Sequence, residues 1–179
     1  EYIFYDTTSA SIQDYFISVI KIIIIILKNQ KNNGNAIIKI KDILYKPVLD
    51  CIYLLTSLYD KVYIAKPNTN NITSLDRYIV CRSFQHDEKS IPYLKLTAIK
   101  LIVFLKKLDG NNIVDILGYN VPYYFRNKID DLNIIIGQQQ IDAFDQIISI
   151  FKNKNKNEKI ESIKKSNIQK SVSWCEKYK

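Results

Sequence analysis

Glycine is scarce in this chain: four residues, at positions 34, 110, 118 and 137, none within two residues of another. A Gly-rich turn, which lets a backbone approach a ligand closely, is therefore absent. Methionine is missing altogether and the chain opens at Glu1, so it reads as a piece of a longer product. Three cysteines, Cys51, Cys81 and Cys175, are widely spaced with no CxxC pair. That spacing argues against a disulfide framework and a zinc site, and suggests a reducing compartment. The single histidine, His86, has no partner in the sequence and reads as a surface or loop residue. No metal ligand set is visible.

Long apolar runs are also lacking. The most hydrophobic stretch, Tyr15 to Leu27, covers 13 residues and contains Lys21, whereas a membrane span needs about 20. It reads as a buried core element. The acidic, polar start carries no secretory signal, so the expectation is a soluble, cytoplasmic protein without membrane contact.

What is present is 47% hydrophobic and 25% charged residues over 179 positions. This suits a globular protein with room for one sizeable domain. A formal charge of +8 makes a polyanionic partner plausible, although lysine surplus also accompanies A/T-rich coding, as the abundant Ile, Asn and Tyr suggest. Charge speaks to partners and not to fold.

Periodicity predicts a strand over residues 1–5, then a buried helix over 11–29, too long without a turn signal to be a strand. Asn29 to Asn35 is a turn in which Gly34 is expected to supply φ freedom. Ala36 to Ile43 alternates as a strand with Lys39 and Lys41 on one face. Lys46 to Tyr59 has helical spacing with Pro47 in the first turn. Lys61 to Ala65 and Arg77 to Phe84 are strands around a turn-rich linker. The order indicates an α/β sheet ending in a hairpin.

Beyond residue 88 helices are expected over 91–108 and 137–151, a low-complexity linker over 152–159, and a basic helical tail over 160–179. Lys106-Lys107, Lys152 to Lys159 and Lys164-Lys165 read first as solvated faces, second as sequence-independent phosphate contacts. Tyr119, Tyr123, Tyr124 and Phe125 could stack on bases or pack in a core.

Gly34-Asn35-Ala36-Ile37-Ile38-Lys39, then a helix, then Lys61-Val62-Tyr63-Ile64-Ala65-Lys66-Pro67, then Arg77-Tyr78-Ile79-Val80-Cys81 form an ordered set. This set resembles the FtsJ-like S-adenosylmethionine-dependent RNA 2′-O-methyltransferases, most closely the large-DNA-virus type. Gln138-Gln139-Gln140 and the basic tail are similar to the C-terminal extensions of those viral versions. The resemblance implies the C-terminal half of a Rossmann-like sheet with one antiparallel strand, residues 77–84, over residues 1–87, followed by a helical extension over 88–179.

It also implies a site. Lys39 falls on the family's catalytic lysine. Asp76 takes the place of its closing Glu, one methylene shorter and so expected to sit further back. Asp6 is the candidate for its strand-end Asp, closer in sequence to Lys39 than expected; Asp14 is a weaker one. Asn71, and Ser74-Leu75, depart from the family's Arg and Asn-Ser. The cofactor would be S-adenosylmethionine; no cofactor-binding residue is identified here, and the half that holds the cofactor is expected upstream. Partners implied are RNA, including capped mRNA, and capping-complex subunits, in host cytoplasm or virion.

Two alternatives stand beside this. The first is a degenerate, non-catalytic subunit of a capping complex, similar to the small subunit of the poxvirus capping enzyme. The second is a helical interaction module whose resemblance is coincidental, a reading that predicts no parallel sheet joining residues 1–5 to 36–41.

Overall fold

The computed structural model describes residues 2–7, 11–67, 70–85, 89–107, 112–152 and 156–177. Among these described residues the elements in order are β1 (Tyr2–Asp6), α1 (Ile12–Asn29), β2 (Asn35–Ile40), α2 (Lys46–Leu58), β3 (Tyr59–Ala65), β4 (Arg77–Phe84), α3 (Ile91–Lys106), α4 (Tyr123–Lys152) and α5 (Lys156–Lys177).

The four strands make one sheet in the order β1-β2-β4-β3. β1 runs parallel to β2, from Tyr2 opposite Asn35 to Asp6 opposite Lys39. β4 is antiparallel to both β2 and β3, so β1, β2 and β3 share one direction and β4 alone is reversed. A parallel pair joining β1 to β2 is what the coincidental-resemblance reading excluded. The antiparallel strand occupies residues 77–84, as the resemblance implied.

Parallel neighbours need a crossover, and α1 supplies the first. Ser11 caps it, its Oγ accepting the Asp14 N–H at 3.1 Å and donating to Asp14 Oδ2 at 2.7 Å. Asp14 is thereby a capping residue. Isoleucine is a poor helix former because its branched Cβ restricts χ1, yet α1 is a helix throughout its Ile run. Tertiary burial overrides the local preference. Val19, Ile20, Ile23, Ile26 and Leu27 are buried, and solvent meets only a stripe that includes Lys21, Ile25 and Lys28. Each such buried side chain contributes about 2 kcal/mol, far more than the helix propensity it costs.

Along β2 and β4 burial alternates. Ala36, Ile38 and Ile40 share one face with Ile79 and Cys81, and these join the core formed with α1 and α2. The other face carries Phe4, Ile37, Lys39 and Val80 and is less buried; Phe4 is 58% exposed. β2 stops at Ile40, short of the expected Ile43, so Lys41 does not continue the Lys39 face. The chain turns there because Asp42 Oδ1 accepts the Leu44 N–H at 3.2 Å, while its carbonyl accepts the Tyr15 hydroxyl at 2.8 Å.

The turn before β2 departs from expectation in detail. Its left-handed residue is Asn33 (φ 58°), not Gly34. Gly34 is instead required for space: a Cβ there would lie 2.8 Å from the Lys31 carbonyl oxygen and 2.2 Å from the Gln30 side-chain nitrogen.

Compactness divides the chain between Ile134 and Ile135, so α3 and the start of α4 fall in the same unit as the sheet. Phe125 is buried against Tyr53, rings 5.2 Å apart, while Tyr119, Tyr123 and Tyr124 are exposed. The second unit comprises the rest of α4 and α5, tied by Lys159 Nζ donating to Ser149 Oγ. Helix starts at Lys156 inside the expected linker, and its Lys164-Lys165 pair is exposed. His86 and Gly110 lie outside the described residues. Among those residues, no helix is long and apolar enough to cross a membrane.

A fully buried carboxylate, Asp50 in α2, organises the segment before α4. It pairs with Lys46 Nζ at 3.1 Å and accepts the N–H groups of Ile116 at 2.8 Å and Leu117 at 3.3 Å. Lys46 also reaches Asp115 and the Tyr119 carbonyl. Asp50→Ala would leave the Ile116 and Leu117 amides without their acceptor while Lys46 keeps Asp115 and the Tyr119 carbonyl, so urea denaturation is expected to show a loss of about 2 kcal/mol.

Candidate active site

Register alone assembles the first part of the site. Asp6 pairs with Lys39, Lys39 with Tyr78, and Tyr78 with Ala65, giving one row across all four strands at the ends of β1, β2 and β3. Ligand sites in open α/β sheets lie at this edge, outside the carboxyl ends of the parallel strands. Thr7 Oγ1 donates to the Lys39 carbonyl at 2.8 Å, fastening the end of β1 to β2.

Lys39 points to the less buried sheet face, where its Nζ lies 3.8 Å from Asp6 Oδ2 and 3.7 Å from Asp76 Oδ2. The structure thus brings together all three residues singled out from the sequence. The short Asp76 side chain reaches the lysine, and the brief spacing between Asp6 and Lys39 is spanned by a single crossover helix. All three side chains remain open to solvent, at 28% for Lys39, 42% for Asp6 and 32% for Asp76. Ion pairs this exposed contribute about 0–1 kcal/mol to stability.

Behind this row stand residues that sequence reasoning did not assign to the site. Lys66, immediately after β3, donates from Nζ to the carbonyls of Ser74 at 2.6 Å and Asp76 at 3.2 Å. Burial pushes its pKa down, the nearby Arg77 charge lowers it further, and Asp76 opposes both. Arg77 is buried on the opposite sheet face, donating to Asn133 Oδ1 of α4 at 2.6 Å. Burial lowers its pKa, while Asp42 and Tyr15 favour the charged form. The signal for Arg77 was present in the alternation 77, 79, 81, which puts it on the face of Ile79 and Cys81. Lys66 had none beyond its place before Pro67, because its partners are backbone atoms.

Other chemistries find little support. Burial pushes the Cys81 thiol up to about 12 and raises Cys51 as well, so neither is a ready nucleophile. Among the described residues, no group of three or more His, Cys, Asp or Glu could hold a metal ion. The cluster at Lys39 can hold a hydroxyl by hydrogen bonding, present its oxygen for attack and take up its proton nearby.

Neutralising a site carboxylate should cost the fold little. Asp6→Asn is expected to change unfolding free energy by no more than about 1 kcal/mol. Asn133→Leu removes a partner of a buried charge and is expected to cost about 2 kcal/mol. Parallel urea denaturation curves compare the two.

No family model matches the chain. It is 26% identical over 133 residues to "Cap-specific mRNA (nucleoside-2'-O-)-methyltransferase 1" of Drosophila melanogaster, covering 71% of this chain and 17% of that protein. It is 24% identical over 134 residues to "Cap-specific mRNA (nucleoside-2'-O-)-methyltransferase 1A" of Caenorhabditis briggsae, covering 72% and 15%. The chain thus spans less than a fifth of the length of these relatives. Its mixed four-stranded sheet with flanking helices is compatible with a methyltransferase fold, and the two similarities make it a distant relative of RNA 2′-O-methyltransferases.

Proposed function

We propose that this chain carries the hydroxyl-activating side of an S-adenosylmethionine-dependent RNA 2′-O-methyltransferase site, in an FtsJ-like, Rossmann-like domain of the large-DNA-virus type. One observation carries the proposal: Lys39 is bracketed by Asp6 and Asp76 at the carboxyl edge of the sheet, in a chain whose relatives are named for methylating the cap-specific 2′ oxygen.

The donor supplies an already activated methyl group, so the protein has to position the nucleophile and manage its proton. Lys39 is suited to hold the ribose 2′ oxygen through a hydrogen bond and to turn a lone pair toward the methyl carbon. The two carboxylates keep its ammonium oriented and offer a sink for the proton released as the ether forms. Asp6 and Asp76 approach from neighbouring strands, so the lysine is constrained from two sides.

The four glycines stand at positions 34, 110, 118 and 137, so the chain has no Gly-rich turn for a close backbone approach to the donor. The less buried sheet face beside Phe4 and Val80 supports the reading that other parts of the protein complete the donor site.

The departures at Asn71 and Ser74-Leu75 motivated the non-catalytic alternative, but Asp76 still reaches Lys39, and this favours the catalytic reading. Capped mRNA as substrate, capping-complex partners and a viral, cytoplasmic setting belong to the proposal and rest on the resemblance.

In the full-length protein, Lys39→Ala is expected to lower methyl transfer to capped RNA by about 100-fold or more, with calorimetric binding of S-adenosylmethionine retained. An unchanged rate removes Lys39 from the mechanism. A wild-type protein that binds no donor returns the chain to the non-catalytic reading.

A further inference from the structure

Asp76 does not belong to a regular element. β3 ends at Ala65, β4 begins at Arg77, and Asp76 is the last residue of the connection. Its neighbours in the site, Asp6 and Lys39, are held by strand pairing. Something else must hold Asp76 if its carboxylate is to stay within reach of Lys39, because an acid that drifts by 1 Å loses most of a catalytic contact.

The connection has a local structure of its own. Asn71 Oδ1 accepts the N–H of Thr73 at 3.1 Å and its hydroxyl at 2.8 Å, and the Asn71 carbonyl accepts the Ser74 N–H at 3.1 Å and hydroxyl at 2.9 Å. Asn71 and Ser74, which depart from the family pattern, thus build a compact turn here. That turn is joined to the sheet through Lys66. Ala65 pairs with Tyr78, so Lys66 leaves the sheet beside the point where Asp76 enters it, and its ammonium takes the carbonyls of Ser74 and of Asp76 itself.

The environment makes this an unlikely choice unless the contact is needed. Lys66 is partly desolvated and lies near the Arg77 cation. Its two hydrogen bonds go to neutral carbonyls rather than to a free carboxylate, and the Asp76 carboxylate is left facing Lys39. A plain surface lysine would point to water.

We infer that Lys66 is a positioning residue for Asp76, a latch that ties residues 74–76 to the end of β3 and sets the Asp76 carboxylate against Lys39. The inference rests on the methyltransferase reading for its consequence and on geometry alone for its mechanism. Lys66 touches neither substrate nor donor in this role, so it should affect turnover and not substrate affinity. Arginine can make the same two carbonyl bonds; the nearly isosteric methionine can make none.

Two measurements test it. In the full-length protein, Lys66→Met is expected to lower kcat at least about tenfold while KM for capped RNA stays within about twofold, and Lys66→Arg to recover most of the rate. The Lys66→Met loss should largely vanish in an Asp76→Asn background, because a latch has nothing left to position. Equal losses in both backgrounds, or full activity of Lys66→Met, overturn the inference. The second measurement is amide hydrogen exchange of residues 70–76, which needs no activity. Lys66→Met is expected to speed it about tenfold or more without speeding exchange in β2, and unchanged exchange overturns the latch. If Lys39→Ala and Asp76→Asn both leave methyl transfer intact, the functional reading fails and the exchange experiment still decides whether Lys66 holds the loop.

Discussion

The pairing of β1 on β2 sets everything at this site. Because the two strands are parallel and in the register that places Asp6 opposite Lys39, both side chains emerge on the same face. A slip of one residue would send Asp6 to the other side. Thr7 reinforces the register from the strand end, but the larger constraint is α1. A parallel pair can be joined only by a crossover, and the crossover is stable only if its apolar surface is buried. The run of isoleucines in α1, with several below 2% exposed, provides that burial and so holds two short strands side by side.

The sheet separates duties by face. One face joins Ala36, Ile38, Ile40, Ile79 and Cys81 to the helices and supplies stability. The other exposes Lys39 and its carboxylates where they can meet a polar ligand. Arg77 and Asp76 show how tightly the faces are coupled: consecutive residues, one buried against Asn133 and the other in the site. The site is therefore backed by a buried cation, a carboxylate at Asp42 and the Tyr15 phenol. That polar layer is costly to build, and its members offset the cost for one another by hydrogen bonding and charge.

Much of the architecture was legible because periodicity is a one-dimensional signal. β4 was predicted at its observed bounds, since the β-prone run Tyr78 to Cys81 is preceded by a turn-rich linker. α2 was readable from Val48, Ile52 and Leu55. Failures came where a long-range partner decides. β2 ends early because Asp42 bonds to Tyr15, 27 residues away, and α4 begins at Tyr123, where Pro122 provides an entry and Phe125 finds Tyr53. Nothing local marks Asp50 as an anchor, because the amides it serves lie 66 and 67 residues on.

For the site, the residue types and their order were set in the sequence. A lysine on a strand, an acid ending an earlier strand and an acid before a later one are facts about the chain, and only their resemblance to the FtsJ-like pattern suggested the chemistry. Their meeting was a matter of tertiary structure. Distances of 3.8 Å and 3.7 Å from Lys39 to acids 33 and 37 positions away depend on strand order, on the reversal of β4 and on a latched loop. Side-chain type is written locally, whereas the separation between charges is fixed only when the intervening chain has been folded and buried.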